Sequence, residues 1–205
     1  KERAGYYNIL AVPNLVFNGT YGSGFPFSTV NLQASFDALK KIGSPLIMSV
    51  TDTRLSGDTI STNISVNIIS PVQAGNYFLR VNAIERKISY SYPLGSNGET
   101  TFYDVFREAV PNTQGTPIPT AIGSYNYNFK YVRDSAWVDS MVYTAAFIQN
   151  DNTFDVLNSA KSRTGVYDRL KNFTIHDDAL DLVSDKNRLN SDNKYFRRIL
   201  PKTIG

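Results

Sequence analysis

The chain of 205 residues contains no cysteine. That absence excludes disulfides, thiolate metal sites and a Cys-x-x-Cys redox pair within these residues. Histidine is scarce too, and the single one, His176, stands beside Asp177 and Asp178. Adjacent residues do not converge easily on one ion, so this trio reads as a solvated loop or helix start. No metal site and no cofactor are expected. No apolar run is long enough to span a membrane, and no signal-peptide pattern opens the chain. Charge of one sign is not in excess either. The net charge is +3, with one local concentration at Lys194, Arg197, Arg198 and Lys202. No nucleic-acid motif accompanies that cluster, which reads as a solvated face, so no nucleic-acid partner is expected.

Catalytic patterns are missing as well. There is no Gly-x-Ser-x-Gly elbow. The glycines of the stretch Asn18 to Gly24 are not followed by Gly-Lys-Ser/Thr, so they form no phosphate loop. Glu85, Glu99, Asp104 and Glu108 show no spacing that argues for a carboxylate pair, and each reads as a surface residue. The expectation is a protein that is not an enzyme.

What is present is aromatic and β-forming. The chain has 13 Tyr and 12 Phe, with abundant Asn and Ser, the profile of a β-rich exported protein and not of a disordered one. The opening stretch from Arg3 to Gly19 reads as a helix end, the Val12-Pro13 step, a short buried strand at Leu15 to Phe17, and a turn at Asn18-Gly19. A chain that opens on Lys1-Glu2-Arg3 in mid-pattern reads as a cleaved or truncated product. A Gly-rich loop follows. A helix comes next, with Ser28, Thr29 or Asn31 as its cap and Leu32, Phe36 and Leu39 on one face, closing at Gly43.

From Leu46 the period becomes two. Ile60, Ile64, Val66 and Ile68 share one side of a strand, with Ser61, Asn63, Ser65 and Asn67 on the other. Further strands follow: one with Leu79, Val81 and Ala83 facing one way, then one aligning Tyr125, Tyr127, Phe129 and Tyr131. A last hairpin turns across Asn150-Asp151-Asn152. The aromatic ladder reads as core packing in preference to a sugar platform. One helix is expected in this region, where Phe102, Val105, Phe106 and Ala109 are spaced for one face, with a stop at Pro111. Strands at such intervals indicate a mainly β chain built on an antiparallel sandwich. Beyond Ser162 the sequence is polar and aperiodic, apart from a short helix expected at 176–189.

Three features taken together resemble a known family: the Val12-Pro13 opening, the central stretch from Tyr77 to Pro119, and the closing segment from Ala145 to Ser162. It is the outer-membrane family named after a twenty-eight-kilodalton surface lipoprotein of Gram-negative bacteria. Its members join a thioredoxin-like domain to an immunoglobulin-like domain. The resemblance implies three parts: the C-terminal part of a thioredoxin-like domain at 1–44, an immunoglobulin-like β-sandwich at 45–161, and a weakly structured or partner-binding tail at 162–205. It also implies that Pro13 is the thioredoxin-type cis-proline and that Asn31 to Ile42 is that domain's terminal helix. The first half of the thioredoxin fold is missing, and the tail beyond Lys161 matches nothing in the family.

The resemblance implies a surface lipoprotein of the outer membrane, anchored by a lipid upstream of Lys1. It would be an accessory or binding module of a transport or secretion assembly, with other outer-membrane or cell-surface proteins as partners. Two alternatives stay open. One is an envelope thiol–disulfide oxidoreductase whose cysteine pair precedes Lys1. The other is a carbohydrate- or peptide-binding sandwich, which predicts that some of Tyr90, Tyr92, Tyr125 and Tyr127 lie exposed and contiguous. Asp58-Thr59-Ile60, Asp134-Ser135-Ala136 and Asp139-Ser140-Met141 fit the acceptor pattern for O-glycosylation in bacteria carrying this family, which makes Thr59, Ser135 and Ser140 candidate glycan sites. The sequons at Asn18, Asn63 and Asn172 are weaker candidates.

Overall fold

Strand alternation is carried furthest by β4, Thr59–Ile68. Ile60, Thr62, Ile64, Val66 and Ile68 are buried, and Asn63 and Asn67 between them are exposed. A strand sends successive side chains to opposite faces, so this spacing gives one dry and one wet side. The structure, a computed structural model, describes residues 5–10, 14–23 and 28–162. The expectations for Pro13, Asn172, His176, the helix at 176–189 and the basic cluster from Lys194 to Lys202 lie outside the described residues.

β4 is the middle strand of a three-stranded antiparallel sheet, between β3 (Leu46–Arg54) and β8 (Gly123–Val132). Inward rungs run across it as Met48–Val66–Tyr125, Val50–Ile64–Tyr127 and Asp52–Thr62–Phe129. The aromatic ladder of β8 thus packs against the core, as its spacing indicates. Tyr125 and Tyr127 are turned inward, whereas Tyr90 and Tyr92 are exposed. The four do not form one open platform.

The second sheet orders β10 (Val156–Lys161), β9 (Val142–Asn150), β5 (Tyr77–Ser89) and β6 (Thr101–Val110), with β7 (Thr116–Pro117) also paired to β5. All of its pairings are antiparallel. Tyr77, Leu79, Val81 and Ala83 of β5, with Val142, Ala146 and Ile148 of β9, join the inward residues of the first sheet in one core. The body is therefore two antiparallel sheets that bury a common apolar layer.

The helix expected around Phe102 to Ala109 is strand β6 instead. Its pairing with β5 shifts register between Ala83 and Ile84, where Phe106 faces Ile84 and Glu108 faces Ala83. Arg107 is the extra residue of a bulge. The bulge brings Phe106 and Ala109 to the same side although they are three apart, which imitates a helical period.

The apolar layer has one polar rung. Asp52 Oδ2 accepts from the Ser162 hydroxyl at 2.6 Å and from the Thr144 N–H at 3.0 Å, and the Tyr131 and Thr144 hydroxyls lie 3.0 Å apart. Ser162 N–H bonds the Thr144 carbonyl at 2.7 Å, which extends the β9–β10 pairing past the end of β10.

The N-terminal lobe holds β1 (Leu15–Phe17), β2 (Tyr21–Ser23) and α1 (Thr29–Leu39). β1 and its Asn18-Gly19 turn fall where the sequence indicates. Ser28 caps α1 in position but makes no side-chain capping bond, and no residue of α1 is buried. The lobe sits on the side of the larger sheet away from the core. Tyr6 donates to Asp151 at 2.7 Å, and Gln149 donates to the Tyr7 hydroxyl at 2.7 Å. Arg80 is buried there, paired with Asp151 at 2.8 Å and stacked 5.1 Å from the centre of the Tyr6 ring. Gly19 is required where it is, because a Cβ would fall 1.8 Å from the Phe154 carbonyl oxygen.

Ile64→Ala is expected to cost about 2–5 kcal/mol in chemical denaturation, since it empties a fully enclosed site between two sheets. Burial raises the Tyr131 and Tyr143 phenols from 10.0 to about 12, and the hydrogen bond to Asp104 adds to the effect at Tyr143. The unfolded phenols lose their protons first, so stability is expected to fall as pH rises from 10 toward 12. Ultraviolet titration of the folded chain should show these tyrosines ionising after the exposed ones.

Candidate functional site

Charged groups concentrate at the end of the body where β3 leads to β4 and β8 leads to β9. Glu85 is the deepest of them. It follows Ala83 on the inward side of β5 and is 1% exposed, so the expectation of a surface carboxylate is corrected here. A carboxylate can be buried only if its oxygens are supplied with donors. Oε1 accepts the Val138 N–H at 2.9 Å, and Oε2 accepts Arg107 Nε at 2.8 Å. Arg107 Nη2 forms an ion pair with the same oxygen. Its guanidinium lies 5.6 Å from the centre of the Trp137 ring. The bulge of β6 is what supplies Arg107 to this acid.

Glu85 thereby pins the connection from β8 to β9, residues 133–141. Arg133 pairs with Asp58, and its Nη1 donates to the Asp134 carbonyl at 3.1 Å and to the Trp137 carbonyl. Asp139 Oδ1 lies 3.0 Å from Arg54 Nε and 3.5 Å from Arg133 Nε, so it joins two strand ends. Arg54 Nη2 also donates to the carbonyls of Asp139 at 3.1 Å and Val142 at 2.8 Å. Asp104 is exposed but accepts from the Tyr143 hydroxyl at 3.0 Å, whereas Glu99 and Glu108 are surface residues as expected.

The three candidate glycan positions come together at this end. Thr59, the first residue of β4, is half-buried, and its hydroxyl donates to the Gly57 carbonyl at 3.4 Å. Ser135 and Ser140 are exposed, Ser140 within the 3-10 turn Asp139–Met141. The acids preceding them have structural work: Asp58 and Asp139 pair with arginines, and Asp134 Oδ1 accepts the Ala136 N–H at 2.8 Å. Sequence reasoning missed the Glu85–Arg107 pair. The signal for it was the position of Glu85 in phase with Leu79, Val81 and Ala83.

Among the described residues, no group of three or more His, Asp and Glu is placed to hold a metal, and no helix is long and apolar enough to cross a membrane.

No protein-family model matches the chain, and no curated protein matches it. Solved structures do. HBP35 of Porphyromonas gingivalis superposes with a TM-score of 0.62 at 11% identity, over 78% of this chain and 55% of that one. That likeness shows a shared fold, and the chain spans about half the length of HBP35. A domain of the outer membrane lipoprotein Omp28 from Porphyromonas gingivalis aligns at 14% identity over 58% of this chain and 88% of that one. Its TM-score is 0.44, too low to carry an argument.

Removing Arg107 leaves Glu85 buried without its counter-charge, so Arg107→Ala is expected to cost about 3–5 kcal/mol. Arg54→Ala, at an open pair, is expected to cost no more than about 1 kcal/mol. Denaturant melts of the two variants side by side measure the contrast.

Proposed function

We propose that the chain is a non-catalytic surface module of a Gram-negative cell envelope. It is held at the outer membrane by a lipid anchor upstream of Lys1 and serves as an accessory or binding component of a transport or secretion assembly. In this reading residues 45–161 are an immunoglobulin-like sandwich, residues 1–44 are the C-terminal part of a thioredoxin-like domain with Pro13 as its cis-proline, and 162–205 is a partner-binding extension. Ser135, Ser140 and Thr59 carry O-glycans. The partners are other proteins of the outer membrane or cell surface.

The observation that carries the reading is the shared fold with HBP35 over most of the chain, in a sequence whose opening and closing segments resemble the twenty-eight-kilodalton lipoprotein family. The use of charged groups supports it further. Glu85, Arg107, Arg133, Asp139 and Arg80 are committed to partners within the chain, an arrangement suited to a rigid scaffold. Fold alone does not decide activity.

The test uses the full gene product in its own host. Membrane fractionation is expected to place it with the outer membrane, and protease added to intact cells is expected to remove it. Recovery as a soluble protein that reduces disulfides would favour the oxidoreductase alternative and overturn the proposal.

A further inference from the structure

We infer that Asn97 is a site of spontaneous covalent modification, deamidating through attack by its own main chain, while the other Asn-Gly pair is protected by the fold. Asn18-Gly19 and Asn97-Gly98 are the two such pairs in the sequence. In this reaction the main-chain nitrogen of the following residue attacks the Asn side-chain Cγ. A C–N bond forms in a five-membered succinimide, the bond from Cγ to the amide nitrogen breaks, and the displaced nitrogen leaves as ammonia with the main-chain proton. Water then opens the ring at either carbonyl, giving aspartate or isoaspartate. The sum is amide plus water to acid plus ammonia, with no oxidation or reduction. Glycine favours the step because it has no Cβ in the way and the widest main-chain freedom.

Asn97 lies at the exposed tip of the 90–100 connection between β5 and β6. The Gly98 N–H is held by no more than a long contact of 3.5 Å to the Gly95 carbonyl among the described residues. A Cβ placed on Gly98 would meet nothing within 4 Å, so the main chain has room to turn its nitrogen onto Cγ. The amide is also poised for attack. Its Oδ1 accepts the Glu99 N–H at 3.3 Å, a donor placed where negative charge develops as the tetrahedral centre forms. Its Nδ2, the leaving nitrogen, lies 3.1 Å from Glu99 Oε2.

Asn18 has the same sequence signal and the opposite surroundings. Its carbonyl accepts the Val156 N–H at 3.1 Å, and Thr20 N–H closes the turn on Phe17 at 3.2 Å. Gly19 is pressed onto the Phe154 carbonyl, with no room even for a methyl group. Moving the Gly19 nitrogen onto Cγ requires the turn to leave its seat on the larger sheet, and that opening must occur before each reaction. At Asn97 the product replaces an amide donor by a second carboxylate beside Glu99. The connection that carries the exposed Tyr92 and Leu94 then loses a restraint and gains negative charge.

The experiment is incubation of the folded chain in mildly alkaline buffer, followed by digestion and mass spectrometry. The amide-to-acid mass gain is expected in the peptide carrying Asn97, at least about tenfold faster than at Asn18, because Asn18 reacts only through local opening. In denaturant the two rates are expected to converge. Asn97→Gln, which cannot form the five-membered ring, should abolish the gain in its peptide and leave the fold intact. Equal rates at the two sites in the folded chain, or reaction at Asn18 alone, or no reaction at Asn97, would overturn the inference.

Discussion

The constraint on which the rest of the body depends is the burial of alternate residues in β4 and β5. Ile60, Ile64, Val66 and Ile68 from one sheet, and Leu79, Val81 and Ala83 from the other, supply much of one core. A slip of one residue in β4 would carry Ser61, Asn63, Ser65 and Asn67 into that layer and put the isoleucines in water. Pairing with β3 and β8 is therefore unique, and the strand ends are fixed with it. Because Arg54 sits opposite Ile60 and Thr59 opposite Val132, the same register brings Arg54, Asp58 and Arg133 to one end of the body.

At that end Glu85 extends the apolar column of β5 by one position of the wrong chemistry. Moving a carboxylate out of water costs several kcal/mol, and recovery depends on donors that are already in place. Two come from Arg107, which the bulge of β6 presents, and one from the Val138 main chain. The network is thus less a source of net stability than a condition on how the chain closes. If the 133–141 connection swings away, the acid loses a donor inside the protein. Within the same segment Trp137 lies against Arg107, Arg133 reaches Asp58, and Asp139 is paired with Arg54.

The strands with clean alternation were legible because one face of each is dry and the other wet. Ile60 to Ile68 and Tyr125 to Tyr131 carry their orientation in their spacing alone. Thr101 to Val110 did not, because a bulge breaks the period of two and the resulting spacing of Phe102, Phe106 and Ala109 matches a helix. Propensity was a better guide there than period, since Phe, Tyr and Val favour strands. Glu85 is hidden from sequence reasoning for the complementary reason: a single charged residue at the end of an apolar column looks like the point where the column meets solvent. Only its contacts with Arg107 and Val138, from segments 22 and 53 residues away, reveal otherwise. The clustering of Thr59, Ser135 and Ser140 at one end likewise follows from strand pairing, which spacing along the chain does not encode.

The N-terminal lobe obeys a different rule from the body. Its strands are three residues long and its helix buries no residue, so within the described residues it has little core of its own. What orders it is its seat on the larger sheet, where Tyr6 covers a guanidinium already paired with Asp151, Tyr7 receives the Gln149 amide, and Gly19 meets the Phe154 carbonyl without a gap. Stability within a fold is graded, and a segment with few apolar contacts opens before the core does. Opening this lobe, however, would leave the Arg80 pair without the Tyr6 ring and the Gln149 amide without the Tyr7 hydroxyl. Buried polar groups on the sheet thus turn a weakly packed segment into one that is released only at a cost. The core of the body contains no residue of the lobe, whereas the described part of the lobe is held by these contacts with the sheet.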